Sequence, residues 1–414
     1  MTSLDPQVAG ELTPSLMHQA TLHQDEKPHL VWVFSAVIAD RLDSATWLDT
    51  TDELRKMGWD VTLIGMGPAG TQFIRGIEVT CVPPKDAYFL KQVSFHVGVL
   101  RLLLQQWDAI DIILFHQNSG IWLLPLRLLR WLQGNNRPQI VMDTRDLNDS
   151  KAGSVRVKLR NAYMRLNHHL VNMFADGQTT ITSRFVNLVD IPEPKLWGIW
   201  PSGVNPEPFT AAAEARVWPR ENDPVKLVYI GMMLEKRHPL QLCRAVNAAL
   251  KQGRNFELYF YGDGPEAAQV RRCADKSNGQ IKVMPPIAHE KVPQMLAQMH
   301  VGVTSLPDVD DEKYAASSPV KLFEYMASGL PLLATKSPCH IDVVADGSFA
   351  FWIDEPTEEG IRDGLEKIWA SRDSLNRLSS EAQAAVDLWT WEAAAAKLDD
   401  ALKYGLRQLP ADQS

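Results

Sequence analysis

Ser317-Ser318-Pro319-Val320-Lys321-Leu322-Phe323-Glu324-Tyr325-Met326-Ala327-Ser328-Gly329-Leu330-Pro331 reads as a helix with both ends written in. Ser318 suits the N-cap, and Pro319 suits the first helical position, where its missing N–H costs nothing. Gly329 can turn left-handed just past the end, and Pro331 prevents continuation. A helix start offers free N–H groups and a positive dipole end, which together suit a phosphate. Lys321 falls in that first turn, and Glu324, three residues on, shares its face. A cation for phosphate and an acid for hydroxyl groups thus project together from an anion-binding helix end. The bland alternative is a capped amphipathic helix with an i,i+3 ion pair.

Outward from this stretch, short apolar runs alternate with longer helical segments. Strands are expected at Leu30–Phe34, Val61–Ile64, Ile77–Val82, Asp111–Phe115, Gln139–Met142 and Gln178–Ile181. After a Pro-rich connection from Trp197 to Pro208 and a linker from Ala211 to Pro224, the rhythm restarts. Further strands are expected at Lys226–Ile230, Phe256–Tyr261, Ile281–Met284, Val301–Thr304, Leu332–Ala334 and Phe349–Ile353. The alternation predicts parallel sheets covered by helices on both faces. With 414 residues, the chain is too long for one core, so two domains follow. Ligand belongs between the carboxyl ends of their strands.

The stretch from Ser317, completed by Leu332-Leu333-Ala334-Thr335, resembles the donor-site motif of retaining GT-B glycosyltransferases, especially glycosyltransferase family 4. Three further segments carry the resemblance. Pro201-Ser202-Gly203-Val204-Asn205 is similar to the segment that closes the family's N-terminal domain. Gly262-Asp263-Gly264-Pro265-Glu266 is similar to a turn in its nucleotide domain, and Trp389-Thr390-Trp391-Glu392 to the signature before its last helix. The resemblance implies an α/β GT-B fold, with two doubly wound Rossmann-like domains facing across a cleft. The expected divisions are a mobile tail at 1–27, an acceptor-binding domain at 28–208 and a nucleotide-sugar domain at 209–370. Helices at 371–414 would pack back toward the N-terminal domain. The implied activity is transfer of a sugar, of hexosyltransferase type, from a nucleotide diphosphate to a glycan or lipid-linked acceptor, with retention. The leaving phosphate would take the acceptor proton. Polysaccharide or glycolipid biosynthesis is the setting this suggests.

Site residues carry over position by position. Gly231-Met232-Met233-Leu234-Glu235-Lys236-Arg237 stands where the family has a glycine turn with a cationic pair on the donor diphosphate. Gly231, Lys236, Arg237 and Lys321 are therefore expected at the diphosphate, and the helix start Ser318, Pro319 and Val320 at its terminal phosphate. Glu324 matches the acid that meets the ribose. Fixed cations stabilise charge on the departing phosphate, so no metal or other cofactor is required. The donor is expected to carry UDP ahead of GDP. The pattern departs at Met232, where one cation is missing, and at Ala316, where the first acid of Glu-x7-Glu is missing. Asp308-Val309-Asp310 contains an Asp-x-Asp, read as a solvated acidic loop rather than a metal site. In the N-terminal half, His116 ends a strand and is a candidate catalytic residue beside Glu324. Arg145 and Asp146 are acceptor-side candidates. The loop Ser35-Ala36-Val37-Ile38-Ala39-Asp40-Arg41 replaces the family's glycine loop.

Net charge is −8, which argues against a nucleic-acid partner. Four separate cysteines without metal-ligand spacing fit a reduced, cytoplasmic compartment. From Lys91 to Leu170, eleven Lys/Arg oppose five Asp/Glu, a local excess of six. Arg156 to Leu166 mixes those cations with apolar residues, which suits the inner face of an anionic membrane. Two rival readings are a GT-B sugar-nucleotide epimerase and a non-catalytic scaffold with a decayed site. An isomer formed without acceptor would mark the first, and failure to bind any nucleotide the second.

Overall fold

The computed structural model describes residues 27–39, 44–85, 88–146 and 155–408. Residues 1–26 of the tail expected at 1–27, Asp40 and Arg41 of the first loop, and Leu147 lie outside the described residues. The first sheet contains β1 (His29–Val33), β2 (Asp60–Met66), β3 (Gly70–Ile74), β4 (Ile77–Val82), β5 (Ile112–His116), β6 (Gln139–Thr144), β7 (Gly177–Thr180) and β8 (Leu196–Ile199). Their order is β3-β4-β2-β1-β5-β6-β7-β8, parallel except where β3 meets β4. The second sheet contains β9 (Val225–Ile230), β10 (Phe256–Tyr261), β11 (Ile281–Met284), β12 (Val301–Val303), β13 (Leu332–Thr335) and β14 (Ala350–Ile353). Its order is β11-β10-β9-β12-β13-β14, parallel throughout. Strand order reverses beside β1 and beside β9, which opens a crevice at the carboxyl ends of each sheet.

The helices that matter below are α1 (Ala45–Lys56), α2 (Tyr88–Gln105), α3 (Leu123–Gln133), α4 (Val155–Phe174), α5 (Val320–Ala327), α6 (Leu375–Ala384) and α7 (Trp391–Arg407). Period-2 alternation sends Leu30 and Trp32 of β1 into one core layer and Val31 and Val33 into the other. Among the described residues, no helix is long and apolar enough to cross a membrane.

The chain crosses between the domains twice, and the two crossings pair. Val204 N–H donates to Trp389 O at 2.9 Å, and Trp391 N–H donates to Val204 O at 3.1 Å. Gly203 permits this approach, since a Cβ there would stand 2.6 Å from Thr390 O. Beyond the second crossing, Trp391, Ala394, Leu398 and Leu402 of α7 join the core of the N-terminal domain with Trp32, Trp59 and Trp200. Trp59 Nε1 donates to Asp399 Oδ1 at 2.7 Å within that core. The Trp197 ring occupies the space left by Gly177 of β7 and Gly405 of α7, where a Cβ would overlap it at 1.9 and 2.2 Å.

Three sequence boundaries need correction. The core of the second domain does not end at residue 370: Leu375, Leu378, Ala382 and Val386 all belong to it, and the chain leaves only at Trp389. The connection expected from Trp197 begins later, because Leu196–Ile199 forms edge strand β8. The expected linker from Ala211 starts inside a short helix, Glu207–Ala213.

Candidate functional site

The C-terminal crevice is built on glycines. Gly231, Gly262 and Gly264 all hold φ between 130° and 152°. A Cβ on Gly262 would lie 2.1 Å from Gly231 O, and one on Gly264 would lie 2.6 Å from Met233 O. Only glycine permits this backbone contact between the loops after β9 and β10.

Two cations converge on the Gly231 turn. A Cβ there would stand 2.7 Å from Lys321 Nζ and 3.6 Å from Arg237 Nη1. Lys321 is partly buried, with its ammonium turned inward, where it donates to Ile230 O at 2.6 Å and Ser305 Oγ at 3.1 Å. Burial, then the neighbouring Arg237 charge, lower its pKa to about 7. Arg237 Nε donates to the Tyr314 hydroxyl at 2.9 Å, and Lys321 Nζ lies 5.0 Å from the centre of the Tyr229 ring. The aromatic pair that frames the cations carried no sequence signal.

Lys321 stands in the first turn of helix α5. Its N-cap is Pro319, and no side chain caps it. The expected N-cap, Ser318, is engaged elsewhere: its hydroxyl accepts from Ser202 N–H of the first crossing at 3.0 Å. Val320 therefore opens the helix. At the far end, Gly329 takes φ 62°, and Leu330 N–H reaches Tyr325 O at 2.8 Å, which completes a Schellman turn.

Glu324 and Lys321 do not bond to each other. Glu324 Oε1 instead accepts from His289 Nε2 at 3.0 Å, a partner the sequence reading missed. Lys236 is largely exposed and meets Asp311 Oδ2 at 3.3 Å. Asp308 Oδ1 meets His238 Nε2 at 3.0 Å. Among the described residues, no group of three or more His, Cys, Asp or Glu is placed to hold a metal ion. Ala316 is buried among Ile181, Phe185, Val189 and Ile191 of the N-terminal domain, and its carbonyl accepts from Thr182 Oγ1 at 2.8 Å. That docking, made by a small apolar side chain, is what stands where an acid was expected.

Across the cleft, His116 ends β5, with its ring 5.0 Å from Phe34 and 6.4 Å from Trp47, both edge-on. Arg145 is turned toward the crossing. Its guanidinium stacks 3.7 Å over Trp200 and donates to Trp200 O and Ser202 Oγ, each at 3.2 Å. Asp146 Oδ1 lies 3.3 Å from Lys313 Nζ of the opposite domain. His116 and Asp146 thus border the cleft, while Arg145 braces the first crossing.

Residues 212–385 match the family model described as glycosyl transferases group 1. No curated protein matches the sequence. Among solved structures, sucrose-phosphate synthase from Thermosynechococcus elongatus aligns with a TM-score of 0.67 and 15% identity, over 90% of this chain and 97% of that one. The catalytic domain of starch synthase IV from Arabidopsis thaliana, bound to ADP and acarbose, gives 0.66 and 12%, over 93% and 100%. Anabaena HepE in complex with UDP and glucose gives 0.65 and 13%, over 90% and 99%. The molecule has the GT-B fold. The stretch similar to the group 1 glycosyl transferases, residues 212–385, falls on the second sheet and its helices.

Proposed function

We propose that this chain transfers a hexosyl residue from a nucleoside-diphosphate sugar, with UDP as the favoured carrier, to a glycan or lipid-linked acceptor. The observation that carries the reading is the convergence of Lys321 and Arg237 on Gly231 at an uncapped helix start. Breaking the sugar–phosphate bond leaves negative charge on the departing diphosphate. Fixed cations and N–H groups stabilise that charge more in the transition state than in the ground state. These groups serve without a metal ion. With retention, the leaving phosphate takes the acceptor proton on the face where the new bond forms. His116 faces the reacting sugar from the opposite domain, and cleft closure excludes water. HepE with UDP and glucose, on the same fold, supports the choice of carrier.

Calorimetric titration with UDP, GDP and ADP, without metal and then with Mg²⁺, tests the reading. UDP should bind in both conditions, and Lys321→Ala should weaken binding by about 1.5–3 kcal/mol, the scale of a charge-assisted hydrogen bond. Strict Mg²⁺ dependence, or unchanged affinity in the variant, would sink it.

The acceptor side is read as facing an anionic membrane. Leu128, Trp131 and Leu132 of α3 and Leu159 and Leu166 of α4 are exposed, with Trp131 74% accessible. They lie in the region of excess positive charge. Apolar residues among cations match the boundary between headgroups and acyl chains. Co-sedimentation with vesicles containing phosphatidylglycerol should fall sharply in a Trp131→Glu, Leu132→Glu double variant, while UDP binding persists. Equal sedimentation of the variant would remove this face from the membrane.

A further inference from the structure

Glu324 carries a carboxylate that is 9% exposed, and a buried carboxylate is stable only with a bonding partner. That partner is not Lys321, whose ammonium donates to Ile230 O and Ser305 Oγ. It is His289, which comes from the turn His289–Lys291 after β11 and reaches Glu324 Oε1 with Nε2 at 3.0 Å. His289 is about one-third exposed, so it stands where the cleft meets solvent.

We propose that His289 is a positioning residue for donor recognition: by occupying Oε1 it fixes the Glu324 carboxylate and leaves Oε2 to accept from a ribose hydroxyl of the nucleoside diphosphate. The inference rests on the donor-site reading above and adds a residue to it. A carboxylate held at one oxygen presents its remaining lone pairs in a set direction, which favours a hydroxyl placed there over one that is missing. Without the imidazole, the carboxylate would rotate or take up water, and the direction would be lost.

The charges facing His289 favour the paired form. The bond to Glu324 raises its pKa above the ordinary histidine value and outweighs burial. From the N-terminal domain, Asp49 supports the charge and Arg75 opposes it, and these two are themselves paired at 3.1 Å. Glu290 and Lys291 accompany it on its own turn. Because the raised pKa marks a charge held by the pair, the latch is strongest below that pKa and weakens as pH rises through it.

The test compares UDP with its 2′-deoxy and 3′-deoxy analogues by calorimetry, from about pH 6 to about pH 9, across the histidine titration range. The wild-type chain should prefer UDP over the poorer analogue by about tenfold or more, the value of one hydrogen bond to a charged group. His289→Ala should bring that ratio close to one while largely sparing affinity for the poorer analogue. His289→Gln, which can still donate, should restore the ratio and remove its pH dependence. A wild-type chain with no preference, or an undiminished ratio in His289→Ala, overturns the proposal. Failure of the underlying reading looks different: no binding of UDP, GDP or ADP by the wild-type chain, which overturns both.

Discussion

The two crevices lie at the carboxyl ends of similar sheets, yet they are furnished in opposite ways. On the C-terminal side, backbone packs against backbone through Gly231, Gly262 and Gly264, and charge is concentrated in Lys321 and Arg237. On the N-terminal side, the strand end carries rings: His116 sits against Phe34 and Trp47, and Arg145 lies flat on Trp200. The function proposed above would put a diphosphate in the first, where rigid main chain can serve because a diphosphate is the same object whatever sugar it carries, and an acceptor in the second, where side chains can meet its shape.

Four experiments bear on that contrast. The largest effect is expected for Gly262→Ala, where a Cβ would meet Gly231 O at 2.1 Å and the backbone has φ 152°. Loss on the order of 4 kcal/mol, at the top of the range for single substitutions, should appear in urea unfolding together with loss of UDP binding. A stable, UDP-binding variant would show that the cradle is not rigid. Arg145→Ala comes next. It strips the guanidinium from Trp200 and from Asp143, a buried acid whose pKa burial raises and which lies 3.9 Å away. Stability should fall by about 2–3 kcal/mol while UDP affinity holds, because breaking a buried pair costs stability without touching the other crevice.

A smaller and graded effect follows from Lys321. In the free site its pKa is lowered to about 7, and a bound diphosphate should raise it. Binding then takes up a proton, and UDP affinity is full below pH 7 and declines above it, by at most about 1.4 kcal/mol per pH unit. Calorimetry in buffers of different ionisation enthalpy reads the uptake directly, and a flat profile would mean that Lys321 keeps its charge throughout. Smallest of all is Lys236→Ala. Its exposed pair with Asp311 should be worth less than about 1 kcal/mol in a thermal melt, and the change in UDP affinity should be of similar size.

The same contrast governs what could be read from the residues alone. Strands β10 and β11 fall within the limits their apolar runs suggest, and Gly329 turns left-handed as its place before Leu330-Pro331 implies. Such features are local, decided by neighbours a few positions away. The edge strands β3 and β8 are short and lack a continuous buried run, so nothing marks them until a partner strand is in place. Ser318 looked like a cap because its neighbours fit a cap, but Ser202, 116 residues earlier, claims its hydroxyl. His289 and Glu324 stand 35 residues apart with no pattern linking them. Residues whose partners lie in another element, or in the other domain, carry no periodic signal.

The paired crossings set a rule for anyone who would exchange halves between such molecules. The last helix belongs by sequence to the second domain and by packing to the first, with Trp197 wedged between Gly177 and Gly405. A graft joined at one seam near Val204 would carry away the helix that covers Trp59 and Trp197, and the recipient would expose a tryptophan-lined trough. A second seam near Thr390 leaves α7 with its own sheet. The second domain is therefore an insert rather than a tail, and its replacement must be spliced at both ends.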